Sequence, residues 1–404
     1  MSILCNSMNG IPRFMQSYAT PMTPTLTPAL LPTYSPFPFV LSHGKADQVF
    51  SEDGTAYWDF YGGHCVVSTG HCHPAVVAAL AKQAADLVFY SAAGDLKVRS
   101  AAAEALVAFA AGSGMASAFF CNSGAEANEN ALLLAAKLTG RSAYVAFEGG
   151  WHGRTLLARS VSDDPRLHAG LQARLAPTTW LPFGDLDALE AADFSAVAAV
   201  ILEPIQSMSG IKTAFPAFFQ ALRRKCSEAG TLLIFDEVQT GVGRLGKPFA
   251  AEFYGVAPDF ITSAKGLASG VPVGALLMSA DVAAQVKPGD LGSTFGGGPL
   301  AMAALLATLK VIQDEGLMDR AAACAARIRE GLEDTVVRRV KGEGLLLGLD
   351  AGASAPALKK HLEAARILVG SSSDSAVLRL MPPLNLSDAA LDALLAAVRS
   401  FPGA

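Results

Sequence analysis

The feature that most constrains this chain is a repeated alternation of helical stretches with short, continuous apolar runs. Residues 74–87 and 96–110 show helical periodicity. The apolar runs that alternate with such stretches are residues 118–120, 142–147, 197–202, 231–235 and 260–263. Apolar runs bounded by turns are typical of strands buried on both faces. Their alternation with helices predicts an α/β fold with a mostly parallel, doubly wound sheet.

Composition narrows the class of protein further. Of the 404 residues, 51% are hydrophobic and 17% are charged, with a net charge of −5, which excludes a disordered chain. Lys and Arg form no cluster of the kind that contacts phosphates, so we expect no nucleic-acid partner. The longest apolar stretch, residues 101–120, contains Glu104 and is broken at Gly112 and Gly114. A spanning helix needs roughly 20 apolar residues, so we expect no membrane association.

The chain shows no sign of export or of a metal site. Its start, MSILCNSMNGIPRF, lacks a basic region before an apolar stretch, so we expect no signal peptide. The six cysteines form no C-x-x-C pair, which favours a reducing, cytoplasmic location. His64, His71, Cys72 and His73 are possible metal ligands, but no second group of ligands is near, so we expect no metal.

Three parts are expected along the chain. Residues 1–58 begin with a stretch rich in Pro, Ser and Thr, which favours an extended N-terminal arm that contributes to a small domain, with a β-hairpin over 47–61. Residues 59–297 hold the alternating pattern and form a large domain. After 298 a long Ala-rich helical region, 299–340, leads into LLLGLD, AVLRLMPPL and a closing helix, which predicts a smaller α+β domain over 298–404.

Several polar clusters follow the predicted strands, where ligands bind in open α/β sheets. Ser123 and Glu126 form a capping box directly after residues 118–120, so a helix begins there with free N–H groups and a positive dipole end. Gly124 permits close approach, and the pattern indicates a phosphate site. An ordinary helix cap is the alternative.

Two further clusters suggest chemistry. Asp236 and Glu237 end an apolar run before a glycine-rich loop, and a metal-binding acidic pair beside a nucleotide is the alternative. No G-x-x-x-x-G-K-[ST] pattern lies upstream, which disfavours a P-loop enzyme. Lys265 directly follows residues 260–263, where desolvation disfavours an ammonium group. It is a candidate Schiff-base lysine, or a lysine that binds phosphate.

The loops at 149–154 and 292–298 complete the set. Trp151 and Arg154 place an aromatic ring and a guanidinium, which can pair with a carboxylate, in the loop after one predicted strand. The alternative is a loop in which the aromatic residue has no binding role. The sequence G-S-T-F-G-G-G at 292–298 favours tight turns with backbone donors. It does not match the dinucleotide fingerprint G-x-G-x-x-G, which is the alternative.

Taken together, these segments resemble fold-type I, class III pyridoxal-phosphate (PLP) aminotransferases, and within them the acetylornithine and succinylornithine aminotransferase group. The resemblance runs from about residue 34 to residue 384. It is carried by YGGHCVVSTGHCHP, FCNSGAEANENALLLA, WHGRT, LEPIQ, DEVQTGVGRLG, PDFITSAKGL, STFGGGPLA and LRLMPPL in order. It implies a fold-type I PLP-transferase with a large PLP-binding domain and a smaller α+β domain, and a homodimer with active sites at its interface.

The resemblance also implies roles at the cofactor. Lys265 would form the aldimine with PLP and move the proton during transamination. Asp236 would pair with the pyridine nitrogen and keep it protonated. The other implied cofactor contacts are Ser123, Gly124 and Ala125 at the phosphate, Trp151 on the ring, Gln239 at the ring oxygen, and Thr294 reaching the phosphate in the neighbouring subunit.

For the substrate, the resemblance implies that Arg154 binds a carboxylate of an acyl-ornithine and Arg379 a carboxylate of glutamate or 2-oxoglutarate. Tyr34 and His64 are further candidate substrate residues. The implied reaction is a ping-pong transfer of the terminal amine to 2-oxoglutarate, giving a semialdehyde and glutamate in arginine biosynthesis. Alternatives are a transaminase for ornithine, 4-aminobutyrate or a lysine derivative, a semialdehyde aminomutase, and a cofactor-binding protein without turnover.

One departure from the family pattern bears on the substrate. After LEPIQ, relatives commonly have G-E-G-G or G-E-A-G, whereas residues 207–210 here are S-M-S-G. The glutamate that Met208 replaces often pairs with the arginine matched by Arg379. We therefore expect Arg379 to lack that acidic partner and to stay open to a carboxylate.

Overall fold

The computed structural model describes residues 29–31, 33 and 36–402. Tyr34 and most of the predicted N-terminal arm lie outside the described residues. Within the described part, the strands are β1 (Leu41–Lys45), β2 (Gln48–Ser51), β3 (Ala56–Asp59), β4 (Met115–Cys121), β5 (Ala143–Phe147), β6 (Thr178–Leu181), β7 (Val197–Leu202), β8 (Ile205–Gln206), β9 (Lys212–Thr213), β10 (Leu232–Asp236), β11 (Phe260–Ser263), β12 (Gly274–Ser279), β13 (Arg339–Glu343), β14 (Leu346–Asp350), β15 (Ile367–Leu368), β16 (Gly370–Ser371) and β17 (Val377–Leu380).

Helices connect and cover these strands. Those in the described residues are α1 (Gly62–Cys65), α2 (Pro74–Asp86), α3 (Lys97–Phe109), α4 (Gly124–Thr139), α5 (Leu156–Ser160), α6 (Pro165–His168), α7 (Leu186–Ala191), α8 (Pro216–Ala229), α9 (Ala250–Tyr254), α10 (Ala280–Ala283), α11 (Pro299–Asp314), α12 (Leu317–Gly331), α13 (Ala355–Ala364) and α14 (Asp388–Arg399). None of them combines the length and apolar character that crossing a membrane requires.

A seven-stranded mixed sheet forms the centre, in the order β4-β12-β11-β10-β7-β5-β6. Only β12 runs against its neighbours. Every residue of β7 is buried because apolar cores lie on both faces. Its residues alternate between these cores, with Ala199 and Ile201 in one and Val200 and Leu202 in the other. The predicted α/β fold with a mostly parallel sheet is confirmed.

All five predicted apolar runs lie in this sheet, although two of its strands, β6 and β12, were not predicted. The predicted helical region 299–340 is wrong at two places. It is divided at Gly316, whose φ of +61° starts a new helix, and it ends at Gly331, so Arg339 and Val340 lie in β13 instead. A left-handed glycine interrupts helical hydrogen bonding without changing the apolar periodicity on either side.

Two smaller sheets join distant parts of the chain. The hairpin of β2 and β3, expected over 47–61, is present. Because β3 also pairs in parallel with β15, the N-terminal hairpin and a strand from the C-terminal half belong to one sheet. The second sheet, β13-β14-β17-β16, carries Arg379 on β17. Helix α11 packs on α2 and α3. The division at residues 58 and 297 stays a prediction.

Candidate active site

A cavity of about 430 Å³ opens at the edge of the central sheet where β4, β5, β10 and β11 end. This is the edge at which open α/β sheets bind ligands. The predicted site residues that line it are Ser123, Gly124, Ala125, Trp151, Arg154, Asp236, Gln239 and Lys265. Four separate loops contribute these side chains, so the order of the strands brings together residues far apart in the sequence.

One end of the cavity is the N-terminus of α4. Ser123 caps the helix, and its Oγ accepts a hydrogen bond from the Glu126 N–H at 3.2 Å. The Glu126 carboxylate accepts from the Asn122 N–H at 2.6 Å, one residue earlier than in an ordinary capping box. The first N–H groups of a helix have no partners within it, so this end can bind an anion.

Gly124 keeps this helix end accessible. A Cβ atom at Gly124 would lie only 2.7 Å from Cγ2 of Val238, which follows Asp236 in the chain. The close approach of the two loops therefore requires a residue without a side chain at this position. Gly124 and Val238 both line the cavity, so this close contact forms part of its wall.

The buried Asp236 carboxylate is held by a hydrogen-bond network. Its Oδ2 accepts from Asn128 Nδ2 at 2.7 Å and lies 2.8 Å from His152 Nδ1. Its Oδ1 accepts from the Val238 N–H at 3.1 Å. Asn128 is itself fixed, because its Oδ1 accepts from the Thr262 hydroxyl at 2.6 Å. This network fixes the direction in which Asp236 faces the cavity.

Lys265 occupies a strained backbone position directly after β11. Its φ of +45° is left-handed, a conformation that costs a non-glycine residue on the order of 1–3 kcal/mol and is concentrated at functional sites. Burial lowers the pKa of Lys265, while the negative charge of Asp236 opposes this shift. A lysine with a lowered pKa has more of the neutral, nucleophilic amine at neutral pH.

Glu203 is a functional residue that the sequence reasoning missed, although it lies in the recognised LEPIQ motif. It lines the cavity, and its carboxylate accepts from the Trp151 N–H at 2.9 Å. Burial, together with the charge of Asp236, raises the pKa of Glu203 to about 7. Glu203 therefore fixes the backbone of Trp151, whose ring centroid lies 5.1 Å from Cζ of Arg154.

Asn128, His152 and Thr262 were also missed. His152 was part of the quoted WHGRT motif but received no role, and Asn128 lies in the AEANEN segment. A signal was present for Asn128, because a polar side chain on the buried face of an otherwise apolar helix needs a partner. Nothing local pointed to Asp236 as that partner.

Arg379 lies near this site on β17 and is almost completely buried, with 4% of it exposed. Its Nε donates to the Ser371 carbonyl at 2.6 Å, and its guanidinium also donates to the Ser207 hydroxyl at 3.0 Å. Among the described residues it forms no ion pair, and Met208 stands where relatives commonly have a glutamate. It is nevertheless hydrogen-bonded, and burial lowers its pKa.

The remaining predicted residues are placed as follows. His64 is exposed, and Tyr61 Oη lies 2.5 Å from its Nδ1. Thr294 is exposed beside Phe295 and does not line the cavity of its own chain, so its contact with a neighbouring subunit stays a prediction. Tyr34 lies outside the described residues. In the described part of the chain, no group of His, Cys, Asp and Glu is arranged to hold a metal.

The chain belongs to the class-III aminotransferase family, whose model matches residues 31–401. It is 41% identical to the acetylornithine aminotransferase of Methanopyrus kandleri over 370 residues, which cover 90% of this chain and 94% of that protein. It is 36% identical to the acetylornithine aminotransferase of Bacillus subtilis over 364 residues, covering 89% and 94%. As a member of this family it is a PLP-dependent transaminase.

Solved structures agree on the fold. The ornithine aminotransferase from Toxoplasma gondii, whose active site has partial occupancy of PLP, superposes with a TM-score of 0.85 and 32% identity, covering 92% of this chain and 91% of that one. The acetylornithine aminotransferase from Elizabethkingia anophelis gives a TM-score of 0.79 and 30% identity, covering 91% and 96%. The fold is therefore that of fold-type I PLP aminotransferases.

The residues in the cavity fit this cofactor. The α4 N-terminus suits a phosphate, and a Cβ atom at Gly124 would collide with Val238 in the wall of the cavity. The buried Asp236 suits the pyridine nitrogen, and Lys265, with its lowered pKa, suits the aldehyde. All three groups line the same cavity.

Proposed function

We propose that this protein is an acetylornithine aminotransferase that moves the terminal amine of an N-acyl-ornithine to 2-oxoglutarate, giving a semialdehyde and glutamate. The observation that carries the proposal is a cavity whose residues fit PLP, together with Arg379, a buried guanidinium whose charge acts on Lys265 and which has no acidic partner in the described residues. Relatives named acetylornithine aminotransferase, 36–41% identical over about 90% of the chain, support this substrate. The activity would place the protein in arginine biosynthesis and in the cytoplasm.

Each predicted cofactor residue has a task in this reaction. PLP, when bound, withdraws electrons from the substrate carbon that loses its proton. The Lys265 amine would accept that proton and deliver it to the cofactor carbon that carries the substrate nitrogen, which its lowered pKa permits. Asp236 holds a proton at the pyridine nitrogen, and its network keeps its Oδ2 in one orientation.

The other residues position the cofactor and the substrate. Ser123, Gly124 and Ala125 hold the phosphate at the α4 N-terminus, and Gln239 bonds the ring oxygen. The indole of Trp151 covers one face of the ring and excludes water there. Arg379 binds a carboxylate of 2-oxoglutarate and of the glutamate formed from it, because a buried cation is stabilised by an anionic partner. Arg154 binds the carboxylate of the acyl-ornithine and the second carboxylate of 2-oxoglutarate.

We further propose that the protein is a homodimer. Phe295 is 63% exposed, and its ring centroid lies 5.0 Å from that of Phe89. Three other exposed apolar residues lie next to Phe89 in the chain: Leu87, Val88 and Tyr90. An apolar patch of this kind is typical of an interface. Its position next to Thr294 supports the prediction that Thr294 reaches the phosphate in the neighbouring subunit.

The test is a screen of amine donors with 2-oxoglutarate as acceptor. It compares kcat/KM for acetylornithine, succinylornithine, ornithine, 4-aminobutyrate and lysine, with glutamate as the measured product. Acetylornithine is expected to give the highest value. Preference for ornithine or 4-aminobutyrate would overturn the substrate assignment. Product formed from one substrate alone, without glutamate, would instead indicate an aminomutase.

A matched pair of lysine variants tests the site itself. Lys265→Ala is expected to lose the visible absorbance of lysine-bound cofactor and to slow transamination by about 10²–10⁴-fold or more, the contribution of a general acid–base group. Lys287→Ala removes an exposed lysine outside the cavity and should behave like wild type. If Lys265→Ala turned over at the wild-type rate, the lysine assignment would be wrong.

A further inference from the structure

The segment that carries His64 has an unusual backbone. Gly62, Gly63, His64 and Cys65 all have positive φ, at +59°, +54°, +69° and +65°. A left-handed conformation costs an L-residue such as His64 roughly 1–2 kcal/mol, and consecutive residues rarely adopt it. The short element α1 is therefore a left-handed turn rather than a regular α-helix, and we call residues 61–65 the left-handed turn. Its conformation persists only because the surrounding structure holds it.

One anchor of the left-handed turn is the buried Asp59. Its Oδ1 accepts from the N–H groups of Tyr61 at 3.0 Å and Gly62 at 2.8 Å. Its Oδ2 lies 2.8 Å from His71 Nε2. Together these bonds fix the start of the turn and the direction in which it leaves β3.

The other anchor lies on the chain just after Arg379. The Met381 N–H donates to the Phe60 carbonyl at 2.7 Å. A Cβ atom at Gly62 would collide with the Met381 carbonyl oxygen, so the turn lies directly against this segment. The left-handed turn is therefore attached to the chain two residues after Arg379, and the positive charge of that guanidinium acts on the His64 ring.

His64 faces positive charge from three elements. Arg379 comes from β17, Lys265 from the loop after β11, and Arg154 from the loop after β5. Although part of the side chain reaches solvent, partial burial and these three cations lower the pKa of His64. From its own turn, Tyr61 Oη lies 2.5 Å from Nδ1 and 2.8 Å from Nε2.

We propose that His64 is a specificity residue that contacts the substrate carboxylate bound at Arg379 and takes up a proton from solvent when a dicarboxylate binds. The inference rests on the proposed function, in which 2-oxoglutarate is the amino acceptor. A ligand carboxylate offsets the positive charge of Arg379 and brings an anion next to the imidazole. An adjacent anion favours the protonated ring, so binding and protonation reinforce each other.

Tyr61 makes this proton uptake possible without rearrangement. A phenol hydroxyl both donates and accepts, so it can donate to the neutral imidazole and accept from the protonated one. The ring therefore keeps the same support in both states. A dianionic acceptor offsets two guanidinium groups, Arg379 and Arg154, so it gains more from the linked proton than a monocarboxylic oxo acid does.

The test is calorimetric titration of the PLP-loaded enzyme with glutarate, a dicarboxylate without an amine or oxo group. Titrations at one pH in buffers of different ionisation enthalpy count the protons taken up. Wild type is expected to take up a fraction of one proton per site near neutral pH. Its glutarate Kd should rise as pH increases, by no more than about tenfold per pH unit because one proton is linked.

Two asparagine variants provide the comparison. His64→Asn removes the titrating ring, and asparagine tolerates the left-handed conformation well. It should show no proton uptake and a Kd that does not change with pH. His43→Asn changes an exposed histidine on β1 and should match wild type. Retained visible absorbance of the cofactor shows that each variant is folded.

Equal proton uptake in wild type and His64→Asn, or none in wild type, would overturn the inference. Glutarate does not react, so this outcome is independent of which amine the enzyme uses. An enzyme that prefers acetylornithine but takes up no proton would keep the proposed function and lose only the role of His64. An enzyme with another donor could still show the proton linkage.

Discussion

At the scale of single residues, the orientation of the Asp236 carboxylate depends on the side chains that hydrogen-bond to it. Asn128 and His152 both hold Oδ2, and Thr262 holds Asn128. A preorganised donor or acceptor at the reacting group is worth about 10²–10³-fold in rate, far more than an ordinary surface contact. Removing the carboxylate should therefore slow the reaction far more than removing one of the hydrogen bonds that hold it.

For Asp236→Asn we predict retained PLP binding and a loss of about 10²-fold or more in the transamination rate, because the pyridine nitrogen loses its anionic partner. Single-turnover kinetics and a cofactor titration measure the two quantities separately. Thr262→Val, which removes one hydrogen bond from the support, should cost only about 0.5–1.5 kcal/mol in the same rate barrier. An unchanged rate in Asp236→Asn would remove this carboxylate from the mechanism.

The sequence indicated Lys265 and Asp236 because each follows a buried run, and strand ends meet at one edge of the sheet. It could not indicate that Asn128 holds Asp236, since the two are 108 positions apart and no local pattern links them. Glu203 was hidden for the same reason. Its importance depends on its contact with the Trp151 N–H, which only the folded chain creates.

At the scale of elements, the α4 N-terminus depends on a close contact with the loop after β10. We predict that Gly124→Ala weakens PLP binding, because its Cβ would lie 2.7 Å from Cγ2 and 3.0 Å from Cγ1 of Val238. Overpacking of this kind costs about 1–3 kcal/mol, or roughly 5–150-fold in the PLP Kd. The Kd is measured by titrating the cofactor-free enzyme with PLP.

Val238→Ala tests whether the contact is the cause. The double variant Gly124→Ala with Val238→Ala should bind PLP more tightly than Gly124→Ala alone, since the colliding methyl groups are gone. Additive losses in the two variants would show that the close approach of these loops does not control the phosphate site.

Helix α9 begins at a buried carboxylate. Glu237 accepts from the N–H groups of Ala250 at 2.5 Å and Ala251 at 2.8 Å, yet burial raises the pKa of Glu237 from 4.5 to about 7. The folded state therefore holds this proton more tightly than the unfolded chain does. The protonated Glu237 carboxyl contributes its full stabilisation below about pH 4.5. This contribution is lost as pH rises from about 4.5 to 7, and no further loss from this group occurs above that pH.

We predict that Glu237→Gln gains stability relative to wild type as pH rises from 5 to 7, because glutamine never ionises. The gain over this range is at most about 3 kcal/mol, because the pKa rises from 4.5 to about 7 on folding. Urea unfolding midpoints of both proteins at each pH measure it. Glu52→Gln, at an exposed site, should parallel wild type. Parallel curves for Glu237→Gln would contradict the raised pKa.

Elements were predictable where periodicity was strong and unbroken. The runs that became β5 and β7 are almost entirely apolar and are bounded by turns. The run of β12 was missed because this strand is antiparallel and follows β11 without an intervening helix, so the alternating pattern gives it no place. The long helical region was misjudged because Gly316 breaks the helix without breaking its apolar periodicity.

At the scale of the whole molecule, the N-terminal hairpin and the C-terminal half share a sheet through β3 and β15. No local signal in the sequence identifies Ile367 and Leu368 as the partners of β3, and the expectation that both chain ends build one small domain stays a prediction. Assembly beyond one chain is a different matter. In the sequence, nothing distinguishes Phe89 and Phe295 from other loop residues. The exposed apolar patch exists only because the fold brings their two rings into contact.

We predict that Phe295→Glu converts the proposed homodimer into monomers and lowers activity. A charge at this position would be desolvated in an apolar interface, whereas in a lone chain Phe295 is 63% exposed and its replacement costs little. Because Thr294 is predicted to complete the phosphate site of the neighbouring subunit, PLP affinity should fall together with the molar mass.

Light scattering after size exclusion, at several protein concentrations, measures the mass alongside PLP titration. Phe215→Glu, at a phenylalanine that is 82% exposed and outside the patch, should leave both unchanged. A Phe295→Glu protein that kept the wild-type mass and PLP affinity would place the interface elsewhere on the molecule.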